Sequence, residues 1–80
     1  MSRKEPSITR FGEKLRYLRA QNNLTLQQLA YQLDLHAHGY LSELETGKKM
    51  PTVRLTLKVA LLFGVTTDEL LRDDLEIEVK

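Results

Sequence analysis

The sequence contains no cysteine and no tryptophan among its 80 residues. Without cysteine the chain can form neither a disulfide bond nor a thiolate metal site. Its apolar runs fall well short of the ~20 residues that a membrane-spanning helix needs. The N-terminal stretch MSRKEPS also lacks the apolar segment of a secretory signal. These absences predict a cytoplasmic protein that does not associate with a membrane.

Charges of both signs are present in nearly equal number, but they are unevenly distributed, and the formal net charge is +1. Residues 1–58 carry ten Lys and Arg residues against five Asp and Glu, whereas residues 59–80 carry two basic and six acidic residues. An asymmetry of this kind indicates one part that faces a polyanion and an opposite, acidic end.

Apolar residues that recur every three or four positions predict five short helices. The first begins near Ile8 and ends at Asn22-Asn23, because asparagine tolerates the left-handed conformation that closes a helix. The third is predicted over residues 37–45, with Gly47 at its end. The other three helices open at threonines that can act as N-caps, with glutamine or glutamate completing two capping boxes: Thr25 with Gln28, Thr52, and Thr66 with Glu69.

The fourth helix is apolar over most of its surface and is therefore predicted to be central to the core. The residues expected to line its core-facing side are Val53, Leu57, Ala60 and Leu61, broadened by Leu55, Val59, Leu62 and Phe63. In the first helix, Arg10, Lys14, Arg16 and Arg19 are interleaved with the apolar positions.

The C-terminal stretch DDLEIEVK alternates between apolar and polar residues, which predicts a short β-strand. A lone strand is not stable, so it needs a partner. We therefore expect Leu75, Ile77 and Val79 to pair with the same residues of a second subunit. The chain then divides into a flexible basic arm (1–7), a helical domain (8–72) and a C-terminal dimerisation extension (73–80).

The stretch HAHGYLSELETGKK places a glycine within the predicted third helix. Ala37, Leu41 and Leu44 fall on one face, which is expected to join the core. Gly39 lies on the opposite face, and glycine inside a helix costs roughly 1 kcal/mol relative to alanine. This cost indicates that the polar face is approached closely by something outside the chain. The other residues of that face are His38, Ser42, Glu43 and Thr46.

Residues 11–71 resemble the Cro and phage-repressor-like (Xre-type) helix-turn-helix family. The matching stretches are FGEKLRYLRAQNNLTLQQLA, GYLSELETGKKMPT and LKVALLFGVTTDELL. The resemblance implies an all-α, five-helix lambda-repressor-like helix-turn-helix bundle that binds double-stranded DNA. It further implies that the helix over 37–45 enters the major groove, where such helices read base edges.

The resemblance assigns base reading to the polar face of this helix, at His38, Gly39, Ser42 and Glu43. The chemistry agrees, because His38 can donate to a purine N7 or O6 and Glu43 can accept from cytosine N4. Contacts to the DNA backbone are expected from the residues around this helix: Gln27, Gln28, Tyr40, Thr46, Lys48, Lys49, Arg54 and Arg19, and also Arg3, Lys4 and Arg10 of the arm and first helix. Arg19 and Glu45 match family positions that often pair, so an ion pair is expected between them.

Two features depart from the family pattern. Leu26 stands where many members have a glutamine that grips a phosphate, which leaves Gln27 as the substitute. One extra residue lies between Ala30 and Tyr40, so the turn is longer and the register of the following residues shifts by up to one position.

Other functions find less support in the sequence. His36 and His38 are two apart and do not face the same way in a helix, so no metal site is predicted. No nucleophile with a base and no phosphate-binding loop is evident, so neither an enzyme nor a cofactor is expected. The expected function is that of a homodimeric transcriptional regulator on a pseudo-palindromic operator. The alternative is an antitoxin or a protein-interaction adaptor of the same fold, with a protein partner.

Overall fold

The computed structural model describes residues 7–78, and within this range the chain forms five helices and no strand. The helices are α1 (Phe11–Gln21), α2 (Leu26–Gln32), α3 (Gly39–Glu45), α4 (Val53–Phe63) and α5 (Thr67–Leu71). The predicted all-α bundle of five helices is confirmed. Arg3, Lys4 and Val79, to which the sequence assigned contacts, lie outside the described residues. No helix within 7–78 is long and apolar enough to cross a membrane.

The helix ends follow from local sequence. Each of the three predicted threonine caps accepts a hydrogen bond from the backbone N–H three residues later, and both predicted capping boxes are complete. Asn23 follows α1 with a φ of 55°, and Gly64 closes α4 with a φ of 68°, both in the left-handed region. Side chains a few residues away thus satisfy backbone groups that a helix leaves unpaired, and these predictions are confirmed.

The core is formed by leucines of all five helices together with Phe11 and Val59. α1 packs against α3 and α5, α2 packs against α3, and α4 packs against α5. Gly12 makes the α1–α3 contact possible, because a Cβ atom there would overlap the backbone oxygen of Leu44 and lie 2.6 Å from that of Glu45. α3 is therefore held against the body of the molecule by backbone close to its C-terminal end.

The predicted orientation of α4 is wrong for three of its apolar residues, whereas Leu55, Val59 and Ala60 are buried as predicted. Val53, Leu57 and Leu61 were expected to line the core, but their exposed fractions are 88%, 51% and 75%. The residues of α4 that are buried are Leu55, Thr56, Val59 and Ala60. Because α4 is apolar on more than one side, periodicity could not decide which side faces inward, and the packing of α4 against α5 decides it.

The predicted start of α3 is also wrong. The helix begins at Gly39 rather than at residue 37, and Ala37 is exposed instead of joining the core. In the turn before α3, Asp34 adopts a left-handed φ of 61° and the Leu35 N–H donates to the Ala30 oxygen over 2.8 Å. The first helix likewise begins at Phe11, three residues after its predicted start.

Residues 73–78 do not form the predicted strand but fold back on α1. Ile77 packs against the core of its own chain, and Leu75 is half-buried. The Asp73 carboxylate accepts hydrogen bonds from the backbone N–H groups of Thr9 (2.9 and 3.1 Å) and Arg10 (3.0 Å), and so it caps the N-terminus of α1 from 63 residues away. The described part of the C-terminal extension therefore belongs to the helical domain.

Candidate nucleic-acid interface

α2 and α3 are joined by a six-residue turn that sets α3 across the end of the bundle. Leu41 and Leu44 are fully buried and fix the inner side of α3. Arg19 of α1 fixes its C-terminal end, because its Nε and Nη2 atoms donate to the Glu45 carboxylate over 2.7 and 3.0 Å. The predicted Arg19–Glu45 ion pair is confirmed. Glu45 raises the pKa of the Arg19 guanidinium.

The outer face of α3, with the residue before it, contains the four residues predicted to read bases. His38 is the N-cap residue and is exposed, as is Gly39, while Ser42 and Glu43 are half-buried one turn later. The structure brings all four together on one short surface, which we call the α3 face. A face with an imidazole, a hydroxyl and a carboxylate offers both donors and acceptors to a ligand that lies against it.

Gly39 has a different position from the one that the sequence indicated. It is the first residue of α3, so it does not interrupt the helix interior, where the cost of a glycine would be about 1 kcal/mol. A Cβ atom built there would meet nothing within 4 Å, and the backbone φ of Gly39 is not in the left-handed region. Nothing within the described chain therefore requires a glycine at this position.

A rim of basic residues, Lys48, Lys49 and Arg54, follows the α3 face along the chain. Lys48 and Arg54 are exposed, and Lys49 lies between them in sequence. The Lys49 Nζ atom is 3.7 Å from the Glu43 carboxylate and 5.9 Å from the centroid of the Tyr40 ring. The backbone N–H groups of Lys48 and Lys49 both donate to the Glu43 carbonyl oxygen, over 2.9 and 3.3 Å, and hold the loop beside the helix.

Three residues predicted to contact the DNA backbone already bond within the chain. The Thr46 hydroxyl donates to the carbonyl oxygens of its own helix, at Ser42 (3.0 Å) and Glu43 (3.3 Å). The Gln28 side-chain oxygen accepts from the Thr25 N–H as part of the capping box. Arg19 also donates to the Leu24 carbonyl oxygen over 3.0 Å. The neighbouring Gln27 is exposed at the start of α2.

Arg10 was grouped in the sequence with the residues expected to contact phosphates. In the structure it bonds instead to the acidic C-terminal residues (the acidic end, residues 59–80). Both of its Nη atoms donate to the Glu76 carboxylate over 2.9 Å, and Nη1 also donates to the Asp73 carbonyl oxygen. Hydrogen bonds from Glu76 and then from Glu13 raise the pKa of the guanidinium. The structure therefore does not favour Arg10 as a phosphate contact, because its donors already bond within the fold.

Lys14 has a structural role that was not predicted from the sequence. Its exposed fraction is 3%, and its Nζ atom donates to the carbonyl oxygens of Glu69, Arg72 and Leu75 over 2.6 to 2.7 Å. Burial lowers the pKa of this ammonium group. The sequence did contain an indication of this burial, because Lys14 lies three residues after Phe11 and four before Leu18 and therefore falls on the apolar side of α1.

His36 and His38 form no metal site with other residues in the described range. No group of three or more His, Cys, Asp or Glu side chains there could hold a metal ion.

Two short helices joined by a turn, with the second presenting a polar outer face beside basic residues, define a helix-turn-helix DNA-binding domain. The helix-turn-helix domain family matches residues 12–75. The chain belongs to this family and is a DNA-binding transcription-regulator domain of the repressor-like, Xre type. The resemblance found in the sequence is thus confirmed.

Individual relatives agree with this assignment. Over 61 residues, or 76% of its length, the chain is 43% identical to the HTH-type transcriptional activator BcrR of Enterococcus faecalis. The match covers 29% of that relative, so the chain spans less than a third of the length of the activator.

Solved structures are similar over most of the chain. The restriction-modification controller protein C.AhdI from Aeromonas hydrophila superposes with a TM-score of 0.69 at 28% identity, covering 79% of this chain and 94% of the controller. The P22 c2 repressor, solved with a synthetic operator, has a TM-score of 0.73 and covers 80% of this chain and 96% of the repressor. Its identity is 20%, so this likeness shows the shared fold alone.

Proposed function

We propose that this chain is a cytoplasmic transcriptional regulator that binds a pseudo-palindromic operator as a homodimer, with α3 of each subunit in the major groove. The observation that carries the proposal is the α3 face itself. Its polar residues lie side by side, and they are bordered by basic side chains that the fold does not bury. Such a surface suits a polyanion whose base edges offer donors and acceptors.

Gly39 supports the close approach of α3 to DNA. The fold does not require a glycine there, since a Cβ atom would have free space and the backbone is not left-handed. A side chain at the first position of the helix would, however, point toward a ligand lying against the α3 face. The absence of a side chain lets backbone and bases come closer at this position.

The basic rim has a separate role in the proposed complex. In this proposal the exposed side chains of Lys48 and Arg54 bind phosphates beside the groove, and the exposed Gln27 at the start of α2 adds a neutral contact. Each phosphate neutralised by such a cation contributes about −0.9 to the slope of log K against log salt concentration. Binding should therefore weaken on all sequences alike as salt rises.

The proposed dimer uses a different surface from the C-terminal residues that the sequence indicated. Leu75 and Ile77 are partly buried against their own chain, which reduces what they can offer to a partner. α4 instead exposes Val53, Leu57 and Leu61 at intervals of four residues, a set that we call the apolar stripe. Exposed apolar patches on small domains often mark interaction surfaces.

A second copy of the chain is the proposed occupant of the apolar stripe. Met50 and Pro51 connect the stripe directly to the loop with Lys48 and Lys49, and Met50 is also exposed. A partner on the stripe would therefore lie beside α3 without covering it. A two-fold axis through the apolar stripes of two subunits would direct both α3 faces to the same side of a DNA duplex. Half-sites one helical turn, or about 34 Å, apart require this arrangement.

Replacing Leu61 with glutamate tests the dimer. The side chain is 75% exposed, so the subunit should fold, while a charge in the apolar contact should shift the protein to monomers. Sedimentation velocity measures the mass, and circular dichroism checks the fold. Tyr31→Glu is the matched control, since Tyr31 is 84% exposed on α2 and is not part of the apolar stripe. A Leu61→Glu protein that remains dimeric would exclude the stripe as the interface.

Selection of binding sites from a random duplex pool, near physiological salt, tests the function as a whole. A two-fold symmetric consensus is the expected result, and the spacing of its half-sites reports the dimer geometry. Enrichment of no motif, with only salt-sensitive binding to any sequence, would contradict the proposal. An antitoxin or adaptor that uses the apolar stripe for another protein would then be the better assignment.

A further inference from the structure

Glu43, Lys49 and Tyr40 form a compact unit on the α3 face. The Glu43 carboxylate and the Lys49 ammonium are 3.7 Å apart, and the ammonium also lies 5.9 Å from the centre of the Tyr40 ring. Tyr40 and Glu43 are three residues apart and so are neighbours on the same side of α3. An acceptor and a donor of opposite charge are thus presented next to each other on the surface proposed to meet bases.

The backbone explains why Lys49 is held near Glu43. Gly47 adopts a φ of 81° just after α3, and this left-handed residue turns the chain back along the helix. The N–H groups of Lys48 and Lys49 then donate to the Glu43 carbonyl oxygen. Their side chains differ in surroundings, because Lys49 lies against Tyr40 and Glu43, whereas no ion pair of Lys48 is found within residues 7–78.

A glutamate on a DNA-facing surface needs such a partner. An isolated carboxylate between two rows of phosphates is repelled by them, and an adjacent ammonium group offsets that repulsion. Both side chains remain partly exposed, at 54% for Lys49 and 43% for Glu43, so either can reach a ligand. An exposed pair contributes little to stability, which makes a structural role an insufficient explanation.

The chemistry of the pair matches one kind of base pair. In the major groove a G·C pair presents the cytosine N4 donor next to the guanine O6 acceptor, with guanine N7 beyond it. We infer that Glu43 and Lys49 together read one G·C pair in each half-site, with Glu43 accepting from cytosine N4 and Lys49 donating to guanine O6 or N7. Tyr40 is a positioning residue that holds the Lys49 ammonium over its ring. The inference rests on the proposed function and changes the expected role of Lys49, which the sequence assigned to the DNA backbone.

The test compares site selection by the wild type, Lys49→Met and Lys48→Met under identical salt. The wild type should enrich a G·C pair at one position of each half-site. Lys49→Met should lose roughly ten-fold or more of the discrimination at that position. Lys48→Met, the matched control, should weaken binding to all sequences and keep the preference. Tyr40→Phe, which retains the ring, should keep the preference at that position whatever its overall affinity, whereas Tyr40→Leu should reduce discrimination there.

The outcomes separate the inference from the proposed function. If the wild type selects a symmetric motif and Lys49→Met lowers affinity on all sequences alike, Lys49 contacts the backbone and the inference is wrong, while the proposed function stands. Glu43→Gln is selected in the same way and should lose discrimination at the same G·C pair as Lys49→Met. If the selected motif contains no G·C pair whose preference depends on both residues, the inference is wrong. If the wild type selects no motif, both the proposed function and the inference fail.

Discussion

The α3 face and the acidic end use the same kinds of charged residue in opposite ways. At the acidic end, Lys14 is buried among three carbonyl oxygens, and Arg10 holds Glu76 through two hydrogen bonds of 2.9 Å. On the α3 face, Lys49 reaches its carboxylate partner only at 3.7 Å, and Lys48 is exposed. Cations whose donors are used within the fold are less available to a ligand, so the exposed Lys48 and Lys49 beside α3 support the proposal that this surface meets DNA.

The comparison also changes the meaning of the charge asymmetry along the chain. Two basic residues from the N-terminal half, Arg10 and Lys14, donate hydrogen bonds to residues 69–76. The acceptors are the Glu76 carboxylate and several carbonyl oxygens. The basic half therefore contributes fewer cations to a polyanion than its count suggests, and part of the acidic end is neutralised within the chain. The two regions can be perturbed separately, and the effects below are ordered from the largest expected to the smallest.

Gly12→Ala should produce the largest loss of stability. The added Cβ atom would collide with the backbone of Leu44 and Glu45, which cannot move aside like a flexible side chain. We expect a decrease of at least about 3 kcal/mol in the free energy of unfolding, the upper end of the range for overpacking. Urea denaturation measures it. Gly39→Ala is the matched control and should leave stability within about 0.5 kcal/mol of the wild type or slightly above it, because that Cβ atom has free space. Equal losses in the two variants would show that α1 and α3 are not in such close contact.

Lys14→Met should destabilise the protein by about 2 to 3 kcal/mol, because three partly buried carbonyl oxygens lose their donor. Arg16→Met removes the same charge from an exposed position of α1 and should change stability by less than about 0.5 kcal/mol. Thermal or urea unfolding of both variants gives the comparison. If both substitutions lowered the free energy of unfolding by similar amounts, the loss would come from the change in net charge and not from the hydrogen bonds of Lys14 to the three carbonyl oxygens.

Asp73→Asn should alter how stability depends on pH. Hydrogen bonds from the Thr9 and Ser7 hydroxyls, and then from the backbone N–H groups of Thr9 and Arg10, hold the pKa of the Asp73 carboxyl well below its usual range. A carboxyl whose pKa is depressed by folding stabilises the native state above its unfolded pKa of about 4, and this contribution is lost as the pH falls through the folded pKa.

Urea midpoints of the wild type and Asp73→Asn, measured from neutral to strongly acidic pH, test this effect. The wild type should be the more stable protein near neutral pH, and the difference should shrink as the solution is acidified. Both proteins contain the same other titrating groups, including Glu76, whose pKa Arg10 also lowers. A stability difference that is constant across pH would contradict a role for the ionised Asp73.

The fold could be predicted largely because its helix boundaries depend on nearby residues. A threonine cap, a capping box and a left-handed glycine act over three or four positions, so short stretches of sequence are sufficient. The family pattern then located the α3 face and the Arg19–Glu45 pair. Errors arose where a residue's role depends on distant parts of the chain: the exposed side of α4, the start of α3 after an extra residue, and the fate of residues 73–78.

The sequence by itself determined the number of helices and most of their ends, because hydrogen bonds between residues close in the chain encode these features. Its pattern of polar residues also indicated the face of α3 that carries Ser42 and Glu43. Only the tertiary structure decided which cations remain available, which side of α4 stays exposed, and that Asp73 caps α1. The physical reason is that burial and long-range hydrogen bonds depend on which helices meet, and the amphipathic pattern of a single helix does not specify its neighbours. Lys14 and Lys48 are the same residue type with opposite roles, and the packing of α5 against α1 makes the difference.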